Sequence, residues 1–232
     1  WQVLVCPSAP DNGLAADALA VISDVPGQTC SSRYKGMADN LSDHYQYFGW
    51  VIDRADSMFS QTDLGLVGQI IGVTLPAGAK GPSQLLSVAA SLFLGGAFGM
   101  SVAADGGAIR SLLDSDIDIT DSTVAMSLVT DAVTSGNSGT STIYRLREGI
   151  ERFTVTDINN PAASAKAQSV LPIYWDSVSS TPGAAAAFNH VPGGANTLYL
   201  DGHVEFVRYE KDGRFPANAL WANTYGMIAA AF

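Results

Sequence analysis

The stretch Gly193-Gly-Ala-Asn-Thr-Leu-Tyr-Leu-Asp-Gly-His-Val-Glu-Phe-Val-Arg208 decides how the chain is read. Asn196 to Leu200 and His203 to Tyr209 are β-prone runs, and Asp201-Gly202 between them suits a two-residue type I′ turn. That turn pairs Leu200 with His203, Tyr199 with Val204, Leu198 with Glu205 and Thr197 with Phe206. Tyr199, Val204 and Phe206 would then share the core-facing side of the hairpin. Gly193-Gly194 is too short for a phosphate loop and fits a close backbone approach.

Working outward, 232 residues with 47% hydrophobic content can bury a substantial core. Only 15% of the chain is charged, against about a quarter in ordinary globular domains. The 12 basic and 22 acidic residues leave a formal charge of −10, which argues against nucleic acid as a partner because phosphate binding needs clustered Lys and Arg. His44 to Ile52 is aromatic and β-branched and predicts a strand, as do Val124 to Val133 and Ile173 to Trp175. Residues 63–105 carry one charged side chain, Lys80, between their terminal aspartates, and read as short helices separated by Pro76 to Pro82. Leu85 to Ala104 is apolar, but its glycines and serines favour a buried helix pair over a membrane span. One α+β domain over 1–232 accommodates these elements, with 63–105 as a helical insert and 186–232 as the C-terminal hairpin region.

Cys6 and Cys30 are either a disulfide or two unpaired buried thiols. The disulfide would close a loop of about 25 residues, contribute roughly 3 kcal/mol and imply an oxidising compartment. The chain starts at Trp1, as a mature secreted product or a trimmed fragment would.

Several positions together resemble the prepilin-type proteins of planctomycete-group bacteria, relatives of type IV pilins and type II secretion pseudopilins. They are Cys6-Pro7-Ser8, the aromatic run Tyr45 to Trp50, Arg147 to Phe153, Thr156 to Ala162, and His190, Gly193, Gly194, Asn196, Asp201 and Gly202 in that order. The spacer from His190 to Asp201 is one residue longer than in that family, with Pro192 as the extra residue. Residues 60–135 match nothing in it. The resemblance implies a pilin-like antiparallel sheet closed by the hairpin, an N-terminal helix not present in this chain, and self-association in an extracytoplasmic filament or pseudopilus. Its partners would be copies of itself and other pilin-like subunits, and its only membrane contact would be that helix.

Three further clusters carry ionisable side chains. Asp114, Asp116, Asp118 and Asp121 would line a solvated acidic edge or converge on Ca²⁺, although Ile119 and Ala125 break the EF-hand pattern. His190, Asp201 and His203, with Glu205 the obvious addition, fall short of a usual transition-metal set and read as structural. Arg145, Arg147, Glu148, Glu151 and Arg152 form a charge network, either solvated or setting register between subunits. No Gly-x-Ser-x-Gly elbow, P-loop or dinucleotide fingerprint occurs, so no enzyme is expected. The alternative is a secreted Ca²⁺-dependent carbohydrate- or surface-binding module using exposed Tyr or Trp side chains, with Trp50, Trp175 and Trp221 among the candidates.

Overall fold

Strand β7 (Gly194–Tyr199) lies at the centre of the structure, a computed structural model that describes residues 45–94, 114–150, 168–180 and 193–231. It pairs with β8 (Val204–Arg208) on one side and β6 (Pro172–Asp176) on the other, and β1 (Tyr45–Gln46) completes an antiparallel sheet in the order β1-β6-β7-β8. Ile173 to Trp175 thus lies in a strand as its sequence predicts. Cys6, Cys30, His190, Glu151 and Arg152 lie outside the described residues, and so do Trp1, Thr156 to Ala162 and the far end of the 63–105 segment.

The hairpin differs from its sequence-based expectation by one residue. Its loop is Leu200-Asp201-Gly202, closed by Gly202 N–H donating to Tyr199 O at 2.9 Å and Tyr199 N–H donating to His203 O at 3.0 Å. Gly202 takes a φ of 89°, which favours glycine, and Leu198 sits opposite Val204, Thr197 opposite Glu205 and Asn196 opposite Phe206. A one-residue shift moves a strand's whole side-chain set to the other face. Val204 (63% exposed) and Phe206 (50%) therefore leave the core side, while Val207 joins Tyr199 there, each 3% exposed.

Behind the inner face, Trp175 meets Phe215 and Trp221 edge-to-face, with ring centroids 4.9 and 5.6 Å away. Trp221 comes from the last helix, here α4 (Ala219–Ala231). Asn218 caps this helix by accepting the Trp221 N–H at 2.9 Å, and its amide donates to Ala55 O and Gly213 O. The apolar run from Met227 is thus the end of a docked helix.

The segment that resembles no family builds most of the second core. β2 (Gln61–Asp63) pairs with β3 (Lys80–Pro82), and each leads into a helix, α1 (Gly65–Ile71) and α2 (Ser83–Ala89). These are the short helices expected on either side of the proline-glycine stretch. Leu64, Val67, Leu86 and Val88 from this region pack with Ile117, Ile119, Ala125, Ile143 and Met227. The segment is a wall of the core, with β3 seated against α4.

Val124 to Val133 corrects another expectation. Instead of a strand, the chain forms helix α3 (Thr123–Leu128), preceded by β4 (Ile117–Asp118) and followed by β5 (Thr142–Ile143), which pairs with β4. Ser122 Oγ accepts the Ala125 N–H at 3.1 Å and starts the turn. Ala125, Val129 and Ala132, at near-helical spacing, are the buried positions. In the aromatic stretch His44 to Ile52, His44 lies outside the described residues and regular strand covers Tyr45–Gln46. The stretch continues through a bend at Gly49, φ 77°, with Val51 N–H donating to Tyr144 O at 2.9 Å and Leu146 N–H donating to Gly49 O at 2.9 Å.

Candidate functional site

The signature-like residues of β7 are engaged in holding the sheet. Asn196 donates from its backbone N–H (2.7 Å) and its Nδ2 (2.8 Å) to Asp176 Oδ2, which ties β7 to β6 through a carboxylate. Gly194 admits the Phe206 ring: a Cβ there would strike that ring and stand 2.7 Å from Val207 O. Gly193 sits at φ 121°, again in glycine's territory. Asp201 Oδ1 accepts the His203 N–H at 3.1 Å and meets the ring Nδ1 at 2.5 Å, while Tyr199 stacks on the imidazole at 4.5 Å. The backbone N–H of His203, then its ring, holds the Asp201 carboxyl below the ordinary value of 3.8. The arrangement fixes the hairpin tip and aims an exposed imidazole outward.

The acidic cluster and the basic cluster, separate in sequence, meet in space. Asp116 Oδ1 accepts the Arg145 N–H at 2.8 Å, and Asp116 Oδ2 pairs with Arg147 Nη2 at 2.9 Å. The Arg145 guanidinium lies over the Trp50 ring at 5.2 Å and donates to Gly49 O. Asp118 accepts from Thr120 twice, through Oγ1 at 2.7 Å and N–H at 3.0 Å, and these bonds lower its pKa from 3.8, the side-chain bond most. Asp114 and Asp121 are exposed. Among the described residues no group of three or more His, Cys, Asp or Glu side chains converges as a metal site. Arg147 thus pairs with Asp116 across the fold, a partner that helix-type spacing within 145–152 does not point to.

Trp50, Trp175 and Trp221 are buried, which corrects the expectation that they offer exposed aromatic surface. Two of them meet at one buried side chain: Gln46 Oε1 accepts Trp175 Nε1–H at 2.7 Å and Trp221 Nε1–H at 2.9 Å. Of the exposed aromatic side chains among the described residues, Phe206 and Tyr47, the more exposed is Tyr47, at 59%. It lines a cleft of 560 Å³ together with Arg147, Glu148, Gln168, Ile173 and Leu200. The aromatic run held this residue, but its alternation does not say which ring stays outside once the strand ends at Gln46.

No family model, curated protein or solved structure matches the chain.

Proposed function

We propose that the chain is a structural subunit of an extracytoplasmic, pilin-like assembly, acting by self-association, with copies of itself and related subunits as partners, and without turnover. The observation that carries the reading is the role of the signature-like segment. Gly194, Asn196, Asp201 and Gly202, the described residues of the resemblance that lie in the hairpin, are all spent on closing an antiparallel sheet. A motif devoted to architecture is what a building block requires. Exposed apolar side chains elsewhere, Leu66 and Ile70 on α1 and Met58 before β2, offer surface for contacts between copies. Low charge density keeps the electrostatic cost of such contacts down.

Electron microscopy of the protein from its native source, with immunogold against this chain, tests the reading. Ordered filaments or short pili labelled along their length are expected. Monodisperse, unlabelled-filament preparations in which the chain sediments as a monomer at every concentration overturn it.

A further inference from the structure

The cleft at Tyr47 has a construction that subunit architecture leaves unused. Two of its lining residues, Leu146 and Leu200, pack against a small apolar cluster in which Val51, Ile150 and Leu171 are buried. Ile150 N–H donates to Arg147 O at 3.3 Å, and Gly149 at φ 76° lets this turn close. Arg147 and Glu148 are therefore presented from a turn pinned to the interior by Ile150. The Asp116 pair fixes one end of the Arg147 fork while the side chain stays half exposed, so further N–H donors face solvent. Gln168 adds a donor and an acceptor on one planar group, and Glu148 adds acceptors. Tyr47 supplies an exposed ring with a hydroxyl at its edge.

We propose that this cleft binds a neutral saccharide, with a sugar ring laid against Tyr47 and its hydroxyls bonded by Arg147, Glu148 and Gln168. A sugar offers an apolar C–H face and alternating donors and acceptors, which is the pattern of ring, amide, guanidinium and carboxylate here. The volume is ample for a ring or two and falls within the range of ordinary ligand clefts. Charge decides against ionic ligands: Arg147 and Glu148 cancel, Asp116 already holds the guanidinium, and the chain's −10 repels an acidic polysaccharide. The site would make the subunit adhesive, and it does not depend on assembly.

The test is a nitrogen-edited NMR titration of the soluble, unassembled chain. The probes are neutral oligomers of glucose, mannose and N-acetylglucosamine, with polygalacturonate as the acidic probe. At least one neutral oligomer should shift the amides of Tyr47, Arg147 to Gly149 and Gln168, and polygalacturonate should shift none of them. Tyr47→Ala should weaken binding by about tenfold or more, whereas Tyr47→Phe, which keeps the ring, should stay within about threefold. Both variants should melt with the parent, since the side chain is mostly exposed. No shift with any neutral oligomer, or equal affinity for the parent and Tyr47→Ala, overturns the proposal.

Discussion

Single amide side chains bear much of the internal organisation. Gln46 satisfies two indole N–H groups from opposite sides of a core, one on β6 and one on α4. Asp53 gathers Gln84 Nε2 and Asn137 Nδ2 on one oxygen, each at 2.8 Å, and the Ser138 N–H on the other at 3.0 Å. Removing a buried acceptor strands its donors, at about 1–3 kcal/mol for each. Gln46→Leu should therefore cost roughly 3 kcal/mol in urea unfolding. Trp221→Phe should cost less in that background than alone, because its N–H has already lost its partner. Additive losses would show that the shared acceptor does not couple the two rings. Asp118 makes a pH prediction with a definite sign. Its folded pKa lies below the unfolded value, so its contribution is present at neutral pH and is lost as pH falls through the folded pKa. Asp118→Asn should flatten the stability profile below about pH 4 and leave its shape near neutrality unchanged. The effect should be small, because the carboxylate is well solvated, and a thermal-melt series across that acid range reads it.

At the scale of elements, the strands of the hairpin and the two short helices around Pro76 to Pro82 were legible because glycine and proline punctuate them. Register was not legible. Asp-Gly suits a two-residue turn and also the end of a three-residue loop, and the choice between them moves Val204 and Phe206 from one face to the other. The helix at Thr123–Leu128 was hidden for a related reason. Thr123 and Val124, with Val129 and Thr130 just beyond, favour strands locally, while the Ser122 cap and the burial of Ala125 and Val129 favour a helix, and packing prevailed. The meeting of Asp116 with Arg147 spans 31 positions, so no local pattern shows it. The three-residue loop is tested at its left-handed position. Gly202→Val places a β-branched residue at φ 89° and should destabilise by about 1–3 kcal/mol. Nothing lies within 4 Å of the site, so the cost would be conformational and not steric. Under the two-residue alternative the penalty would also fall on Asp201. Asp201→Gly should then stabilise, whereas the observed loop, which uses that carboxylate to hold His203, predicts a loss. Urea unfolding of the two variants separates the registers.

At the scale of the whole molecule, the cores are joined through α4, which contributes Trp221 to one and Met227 to the other. Gly81 on β3 allows this helix to approach, since a Cβ there would strike Thr224 Oγ1. The two larger clusters of the described residues are thus tied together by one helix. Charge then sets the conditions for association. Each copy carries −10, so any association of copies brings like charges together. At low ionic strength that repulsion is felt across about 30 Å, and near physiological salt only across about 8 Å. If apolar contacts drive assembly, adding salt should promote it. Sedimentation velocity should show larger species growing in between about 10 mM and 300 mM NaCl at fixed protein concentration. If paired charges drive it, the same titration should dissolve the assembly. That outcome would favour Arg145, Arg147 and Glu148 as the contact over the exposed Leu66 and Ile70 of α1. Leu66→Glu resolves the matter independently. It adds a charge to an already exposed position, so it should leave the fold's melting temperature nearly unchanged and suppress the salt-promoted species if α1 is the contact.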